Sequence, residues 1–314
     1  MDVRSLTVRL GGGNDAPSVL DRVSFALEAG EIVGLVGESG AGKSMTGAAI
    51  IGLLEHPLTK TSGEIWLAGT RIDNLSESAM LAVRGSKIGM VFQDPATSLN
   101  PVLTIGHQLT ETIRQHEAIG RGEARDRAIG LLSDVGIPSP AERLGSYPHE
   151  FSGGMRQRVV IALALAGNPD LIIADEPTTA LDVSIQAQII ALLQEVASKR
   201  GAGVLLITHD LGVIAEIADR VAVMYSGRIV EIASVASIIE APHHPYTKAL
   251  MRSIPVVGDR RGRLPQIAGA MPRVGARPQG CAFHPRCTSR LDRCDADRPE
   301  LEAKQDAQVA CWAV

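Results

Sequence analysis

Residues 37–44 read GESGAGKS and match the pattern G-x-x-x-x-G-K-[ST] of a phosphate-binding loop. An apolar run from Ile32 to Val36 precedes this stretch, and a segment of helical character from Lys43 to Leu54 follows it. The glycines let backbone N–H groups converge on phosphate oxygens, and the helix start adds its positive partial charge. This strand–loop–helix order predicts a nucleotide phosphate site in an α/β fold. We call residues 37–44 the phosphate loop.

A second helix start with the features of an anion site occurs further along the chain. Residues 151–155 read FSGGM, and Ser152 with two glycines leads into an apolar helix from Met155 to Ala166. We call residues 151–155 the FSGGM segment. A chain with one phosphate loop and a second anion-binding helix start needs an explanation for both. We expect the FSGGM segment to serve a nucleotide that is held by another copy or by a paralogue.

Composition limits the function classes. The 314 residues suffice for one large domain plus an appendage. A net charge of −4 and an aromatic fraction of 3% argue against nucleic acid as a partner. No run reaches the roughly 18 to 20 apolar residues that span a bilayer, and the N-terminus lacks an apolar signal region. We therefore expect a cytosolic polypeptide that acts on a membrane only by docking to an embedded partner.

Periodicity divides the chain into regions. Strand-like alternation over Val3 to Leu10, Val19 to Leu27 and Gly63 to Ile72 predicts an antiparallel β layer. Helical periodicity from Thr104 to Leu132 predicts a helical subdomain, placed at about residues 94–168.

The core then resumes. Strand Leu171 to Ala174, helix Val183 to Lys199 and strand Val204 to Thr208 imply a parallel sheet. We place a nucleotide-binding domain at residues 1–240 and an extension at residues 241–314.

Several polar residues have the types and positions needed for nucleotide hydrolysis. We expect Lys43 to reach the β- and γ-phosphates and the Ser44 hydroxyl to bind Mg²⁺. Residues 171–176 read LIIADE, an apolar strand that ends in two carboxylates. Asp175 is then a Mg²⁺ ligand, directly or through water, and Glu176 is the general base for the attacking water.

Two further residues follow strands of the same core. His209 lies where a parallel sheet presents ligand groups, and we expect it to donate to the γ-phosphate and to hold Glu176 and the water. The alternative for His209 is a plain surface residue. Gln93 ends its strand at the start of the helical subdomain, and we expect it to contact Mg²⁺ or the water and to report nucleotide state to a partner.

The motifs stand in the order seen in ATP-binding-cassette (ABC) ATPases, which the chain resembles over roughly residues 3–240. They are the phosphate loop, Gln93, the FSGGM segment with Gln157 and Arg158, Asp175 and Glu176, Ala180 with Leu181 and Asp182, and His209. The resemblance implies a RecA-like parallel-sheet core with an antiparallel β subdomain and an α-helical subdomain. It implies that two cassettes dimerise head to tail, so that Ser152 and Gly154 clamp the γ-phosphate bound by Lys43 of the opposite cassette.

The resemblance also names the residues of the nucleotide site. Those expected at the nucleotide are Gly37, Glu38, Ser39, Gly40, Ala41, Gly42, Lys43, Ser44, Met45, Gln93, Ser152, Gly153, Gly154, Asp175 and Asp182. Asp182 is expected to lie across the dimer interface, and Ser44, Gln93 and Asp175 are the expected Mg²⁺ ligands. Leu10 stands where cassettes usually carry an aromatic residue that stacks on adenine. Phe151 and Met155 replace the more common Leu and Gln, and we expect no loss of the clamp.

The end of the chain narrows the resemblance. Residues 244–250 read HPYTKAL and, with the late cysteines, resemble the D-type ATP-binding subunits of dipeptide and oligopeptide importers, whose close relatives import nickel. The resemblance implies a second related cassette, two membrane permeases, a separate extracytoplasmic binding protein and a place at the cytoplasmic face of the membrane. The alternatives are nickel or another small solute as cargo, or a soluble ABC ATPase acting on DNA or ribosomes.

All four cysteines, Cys281, Cys287, Cys294 and Cys311, lie in the extension with the spacing C-x5-C-x6-C-x16-C. We expect no disulfides in a reducing cytosol, and the gaps are wider than the two to four residues typical of zinc knuckles. Four thiolates suit an iron–sulfur cluster, and a [4Fe–4S] cluster is what the resemblance implies. Zinc and packed, metal-free thiols are the alternatives. The expected role is to staple a tail that is poor in core-forming residues.

Overall fold

The computed structural model describes residues 1–13, 15–179, 181–254 and 266–314. Ala180, named above, and part of the extension lie outside these residues. The chain falls into two units. The first comprises Met1–Leu27, Ile32–Asp73 and Ile207–Val314, and the second comprises Glu28–Glu31 and Asn74–Leu206.

Strands and helices alternate through most of the described chain. The strands are β1 (Asp2–Leu10), β2 (Ser18–Ala26), β3 (Ile32–Val36), β4 (Leu58–Leu67), β5 (Thr70–Arg71), β6 (Ile88–Val91), β7 (Leu171–Asp175), β8 (Gly203–Ile207), β9 (Arg220–Tyr225), β10 (Arg228–Ser234), β11 (Glu302–Lys304) and β12 (Ala307–Val309). The α-helices are α1 (Lys43–Ile50), α2 (Glu77–Leu81), α3 (Pro95–Ser98), α4 (Ile105–His116), α5 (Arg121–Asp134), α6 (Pro140–Arg143), α7 (Gly153–Leu165), α8 (Val183–Arg200), α9 (Leu211–Ile217), α10 (Val235–Glu240) and α11 (Pro245–Arg252).

The first unit contains the predicted antiparallel layer, with strands in the order β2-β1-β4-β5. Strand β1 buries Val3, Leu6 and Val8 completely, whereas Arg4 and Ser5 are exposed. Thr7 is buried as well, and register shifts against β2 interrupt the strict alternation. The prediction of one strand over Gly63 to Ile72 is wrong, because that stretch contains the end of β4, a turn and β5. Ala68 and Gly69 both have positive φ, and this left-handed pair reverses the chain.

A second run of strands in the first unit has the order β11-β12-β10-β9-β3. Strands β3 and β9 are parallel, and β9 and β10 form the hairpin around Ser226 and Gly227, whose φ angles are 48° and 76°. The extension contributes β11 and β12, and β12 pairs with β10 through Glu231 and Val309. Backbone hydrogen bonds therefore join the extension to the hairpin that closes the cassette.

The second unit combines parallel strands with the predicted helices. Strands β6 and β7 are parallel, with Val91 opposite Ala174, and β8 adjoins β7 in the same sheet. Every residue of β7 is buried, which explains its continuous apolar sequence. The helical period from Thr104 to Leu132 is divided between α4 and α5. Helix α4 buries Ile105, Leu109 and Ile113, one face of an amphipathic helix.

The part of the chain that the structure describes contains no helix with the length and apolarity needed to cross a membrane.

Candidate nucleotide site

The phosphate loop has the predicted place between β3 and α1 in the first unit. A Cβ atom on Gly37 would lie 2.3 Å from the carbonyl oxygen of Met224, so only glycine fits there. Gly42 has a φ of 107°, and a Cβ atom on it would lie 2.8 Å from Leu20. Ser39 and Gly40, between these two positions, are exposed. The sequence therefore holds the two ends of the loop tightly and leaves its middle open to solvent.

Lys43 is buried, with an exposed fraction of 6%. Its Nζ donates hydrogen bonds to the carbonyl oxygens of Gly37 at 2.8 Å and Glu38 at 3.2 Å. These bonds hold the ammonium against the backbone of its own loop, where the motif places the phosphates. Ser44, the next residue of α1, is exposed, and Met45 is half-buried.

His209 lies in the first unit, in the link between β8 and α9. The N–H of Thr208 donates to the carbonyl oxygen of Leu35 in β3 at 3.3 Å. The residues after β8 and the strand that enters the phosphate loop are thus direct neighbours. His209 is exposed at this edge, and Asp210 caps α9 by accepting from the N–H of Gly212 at 2.8 Å. The role of His209 at the phosphates stays a prediction.

Gln93 and Glu176 meet in the second unit. Because β6 and β7 are adjacent and parallel, residues two beyond Val91 and Ala174 lie side by side. The Nε2 of Gln93 donates to Oε2 of Glu176 at 3.1 Å, and the Thr179 hydroxyl donates to the same oxygen at 2.8 Å. The Glu176 carboxylate thus has a fixed orientation at the strand end.

The backbone of Glu176 is also unusual, because its φ of 47° is left-handed. Such a conformation costs a non-glycine residue about 1–3 kcal/mol and is concentrated at functional sites. Asp175, the last residue of β7, is 7% exposed. The sequence analysis named Gln93 and the two carboxylates as candidates. It did not name Thr179, because nothing in the pattern marks this partner of Glu176.

The FSGGM segment and the residues around Asp182 pack together in the second unit. Ser152 caps α7 by accepting from the N–H of Met155 at 3.3 Å, and Ser152 and Gly153 are exposed. A Cβ atom on Gly154 would lie 2.5 Å from Ile185 in α8, so the second glycine permits close helix packing.

Asp182 caps α8 beside this contact. Its Oδ1 accepts from the N–H of Ile185 at 3.0 Å and from the Ser184 hydroxyl at 2.7 Å. The bond from Ile185 and the bond from Ser184 lower the pKa of Asp182. The two segments that the resemblance assigns to the dimer interface therefore share one surface region.

Leu10, which stands at the expected adenine-stacking position, ends β1 and is 46% exposed. Its N–H donates to the carbonyl oxygen of Pro17 at 2.9 Å. The position is therefore fixed by the strand and open to solvent. An aliphatic side chain here offers a planar base less contact than an aromatic ring would.

The extension contacts the phosphate loop, which sequence reasoning missed. The N–H of Glu38 donates to the Tyr246 hydroxyl at 2.9 Å, and the Glu38 carboxylate pairs with Arg286. Tyr246 belongs to the HPYTKAL motif, which indicated the resemblance to peptide importers but not a contact with the phosphate loop. Arg286 lies next to Cys287, and no sequence motif marks it.

The four cysteines surround one small cavity, together with His284 and Trp312. Burial raises the pKa of Cys281 to about 11 and also raises the pKa values of Cys287 and Cys311. Buried thiols with raised pKa values stay protonated at neutral pH. Within the described ranges, no three or more His, Cys, Asp or Glu side chains are placed so that they could hold a metal ion. The expectation of a [4Fe–4S] cluster is therefore not supported.

Two protein families match parts of this sequence. The family described as ABC transporter matches residues 20–179. The family described as oligopeptide/dipeptide transporter, C-terminal region, matches residues 230–294. The first match includes the phosphate loop and the FSGGM segment, and the second includes the residues HPY and three of the four cysteines.

Curated relatives match nearly the whole chain. The dipeptide transport ATP-binding protein DppD of Escherichia coli (strain K12) is 45% identical over 308 residues, which are 98% of this chain and 94% of that protein. The oligopeptide transport ATP-binding protein AppD of Bacillus subtilis (strain 168) is 48% identical over 295 residues, which are 93% of this chain and 90% of that protein. These alignments include most of the extension as well as the nucleotide motifs.

Solved structures share the fold. The ATP-binding cassette MJ0796, in a dimeric post-hydrolysis state bound to ADP and Pi, is 30% identical to this chain and gives a TM-score of 0.65. The match covers 74% of this chain and 98% of that chain. It confirms the predicted fold class, a phosphate-loop cassette with parallel and antiparallel sheets.

Proposed function

The chain belongs to the ABC transporter family, and on that premise we propose that it is the ATP-hydrolysing subunit of an importer of dipeptides and oligopeptides. The observation that carries the proposal is the match of residues 230–294 to the oligopeptide/dipeptide transporter C-terminal region. The cassette is common to the whole ABC family, whereas this extension distinguishes the peptide transporters from other members of the family. We accordingly divide the chain into a cassette, residues 1–240 with the helical subdomain at about residues 94–168, and an extension, residues 241–314.

In the proposed reaction the first unit binds the phosphates. Lys43 and the N–H groups of the phosphate loop hold the β- and γ-phosphates, and His209 donates to the γ-phosphate. The Ser44 hydroxyl, the Gln93 amide oxygen and the Asp175 carboxylate are hard oxygen donors, the kind that Mg²⁺ prefers. When bound, the metal neutralises charge on the phosphate oxygens. Lys43 supplies positive charge to the same oxygens from the protein side.

Glu176 activates the water in this proposal. Its carboxylate takes a proton from the attacking water while the water oxygen bonds to the γ-phosphorus and the bond to the leaving ADP oxygen breaks. The hydrogen bonds from Gln93 and Thr179 keep the carboxylate in one orientation, which supports this role. Gln93, at the entrance to the helical subdomain, links the state of this site to the element that we propose contacts the permeases.

We propose that the FSGGM segment binds the γ-phosphate on a second, related cassette, which places Ser152, Gly154 and Asp182 at the interface. The exposure of Ser152 and Gly153 at a helix start and the dimeric form of the similar cassette MJ0796 support this pairing. The proposed complex also contains two permeases and a separate extracytoplasmic binding protein. The chain is then a peripheral subunit at the cytoplasmic face of the cell membrane, without a nucleic-acid partner.

Purification from membranes tests the proposed assembly. The chain carries an N-terminal affinity tag, is expressed in its own cells, and is isolated from membranes in a mild detergent. We expect a second cassette and two integral membrane proteins to co-purify with it. Co-purification of ribosomes or nucleic acid in place of membrane proteins contradicts the importer and favours the soluble ABC ATPase.

Uptake measurements test the cargo. Cells that lack this chain should lose ATP-dependent uptake of a radiolabelled dipeptide or of a short oligopeptide, and the wild-type chain should restore it. A Lys43→Ala chain, expressed to the same level, is the control for the need of ATP. Loss of nickel uptake with normal peptide uptake would assign the chain to the alternative cargo.

A metal centre in the cysteine group is a separate proposal. The convergence of four thiols on one cavity supports it. The raised pKa values of Cys281, Cys287 and Cys311 and the absence of a metal-ligating arrangement in the described residues favour packed thiols. Iron, zinc and acid-labile sulfide should be measured on anaerobically purified protein. Iron and sulfide in equal amounts support the cluster, zinc alone supports the zinc alternative, and metal-free protein leaves the packed thiols.

A further inference from the structure

The extension holds the phosphate loop at Glu38, the second residue of that loop. The guanidinium of Arg286 pairs with both oxygens of the Glu38 carboxylate, Nη1 with Oε2 at 3.0 Å and Nη2 with Oε1 at 3.1 Å. This is the two-pronged geometry in which arginine binds carboxylates most strongly. The Arg286 side chain is only 6% exposed and the Glu38 side chain is 27% exposed, so water screens the pair only in part.

A second contact fixes the backbone of the same residue. The Tyr246 hydroxyl accepts the N–H of Glu38 at 2.9 Å, and Tyr246 is completely buried. Burial raises the pKa of Tyr246, so the phenol is neutral at physiological pH. Glu38 is thus held through its backbone and through its side chain by two residues of the extension.

Aromatic packing supports both contacts. Tyr225, Tyr246 and Phe283 meet edge to face with ring centroids 4.7 to 5.4 Å apart. Arg286 lies over the rings of Tyr225 at 5.7 Å and Phe283 at 6.0 Å. Such aromatic pairs and cation–π contacts add to the burial of apolar area. Both anchors are therefore part of one packed group that joins strand β9 of the cassette to the extension.

The carboxylate of Glu38 creates an electrostatic problem for an anion site. Glu38 places a negative charge in the loop whose N–H groups are meant to receive phosphates. Arg286 neutralises that charge at contact distance. A glycine-rich loop also loses conformational freedom when it binds, and anchors that fix it beforehand reduce this cost.

We propose that Arg286 and Tyr246 are positioning residues of the ATP site, which pre-arrange the phosphate loop and offset the charge of Glu38. The extension then contributes directly to ATP affinity. This inference rests on ATP binding by the family and is independent of the cargo, because every readout below is an ATP affinity or a rate of hydrolysis.

The test measures the ATP Kd of the full chain, together with KM and kcat of the detergent-purified transporter. Arg286→Gln should raise Kd and KM about 10-fold, a usual size for coupling between two parts of a protein, and leave kcat within about twofold. Arg286→Lys keeps the charge but loses the two parallel hydrogen bonds to the carboxylate, and it should raise Kd about threefold. Tyr246→Phe, which removes the acceptor for the Glu38 N–H, should also raise Kd about threefold.

The double variant distinguishes charge compensation from a general loss of structure. Glu38→Gln combined with Arg286→Gln removes both charges, so Kd should return to within about threefold of wild type. Arg290→Gln is the matched control, because Arg290 pairs with Asp295 in the same extension and its side chain is half exposed. It should leave Kd unchanged.

Three results would overturn the proposal. One is a wild-type Kd for Arg286→Gln in protein that keeps its thermal unfolding midpoint. Another is a double variant that binds ATP as weakly as Arg286→Gln, since the effect would then be structural. The third is an equal loss for Arg290→Gln. If Arg286→Gln does not fold, unchanged Kd values for both Arg286→Lys and Tyr246→Phe overturn it as well.

Discussion

The phosphate loop and the FSGGM segment are both glycine-containing helix starts, but the protein supports them differently. Lys43 is buried in its loop, and Glu38 of the same loop is held by the buried Tyr246 and Arg286. Ser152 and Gly153 are exposed, and the cap on their helix is made by the Ser152 hydroxyl itself. The first arrangement suits a site that must bind a polyanion alone. The second suits a surface that completes a site on another molecule.

The largest expected effect is the loss of turnover on substitution of Glu176, which belongs to neither helix start. Glu176→Gln keeps the shape and the hydrogen-bonding partners of the side chain but removes the base. Turnover of the purified transporter should fall about 10²–10⁴-fold while the ATP Kd stays within about threefold. Phosphate release and equilibrium binding of ATP are the measurements. Glu195→Gln, at an exposed position of α8, is the control, and near-normal turnover in Glu176→Gln removes that residue from its role.

The next prediction tests the exposed helix start. Ser152→Ala should lower turnover of the assembled transporter about 10²-fold, as the loss of one donor to a charged transition state does, and leave the ATP Kd of the isolated chain unchanged. Ser76→Ala is a matched control, because Ser76 caps α2 with the same 3.3 Å contact from a backbone N–H. Each substitution should cost about 1 kcal/mol of stability through the lost cap. Equal turnover in the two variants contradicts the clamp.

Much of this comparison was accessible from sequence. The strand–loop–helix order placed the phosphate loop, and the ends of apolar strands marked Gln93 and Glu176 as candidates. Their hydrogen bond was not predicted, because it depends on the register between β6 and β7. The anchors of the loop were not accessible, since Tyr246 and Arg286 are 208 and 248 residues from Glu38 and no periodic pattern connects them.

Other features were missed for local reasons. Strands β11 and β12 have three residues each, too few for a period-two pattern to be recognised. The turn between β4 and β5 depends on Ala68 adopting a left-handed conformation, which its residue type does not suggest. The expected metal centre rested on cysteine count and resemblance, and neither determines how the thiols are oriented.

The burial of His244 in the extension predicts a pH dependence of stability. His244 precedes Tyr246 in the HPY motif, is 1% exposed, and accepts the N–H of Tyr246 on Nδ1 at 3.0 Å. Burial lowers the pKa of His244 to about 3. Because the unfolded chain then binds this proton first, its contribution to stability is complete above about pH 6.5 and is lost as the pH falls towards about 3.

The size of that effect follows from linkage. Between about pH 6 and about pH 4, the free energy of unfolding should fall by up to about 1.4 kcal/mol per pH unit more in the wild type than in His244→Asn. Asn is a good helix cap and does not titrate. Urea titrations across this range give the difference, and the exposed His107→Asn is the control. Parallel curves for wild type and His244→Asn contradict a buried neutral His244.

The smallest predicted effect concerns the contact between the adenine base and residue 10. Leu10→Tyr places an aromatic ring at the exposed end of β1, where a stacking contact of about 1 kcal/mol should lower the ATP Kd about fivefold. The affinity for inorganic triphosphate, which has no base, should not change. Leu81→Tyr, at an exposed site in the second unit, controls for general effects of an added ring. Equal gains for ATP and triphosphate would exclude stacking on adenine at this position.

Turnover as a function of assembly tests most directly the claim that the FSGGM segment completes a site on a mate. ATP hydrolysis per subunit should be measured on the isolated chain, shown to be monomeric by sedimentation, and on the complete transporter at saturating ATP. We expect the monomer to bind ATP but to hydrolyse it at least about 10²-fold more slowly than the transporter, since half of each site is missing. Full-rate hydrolysis by a strict monomer contradicts the account.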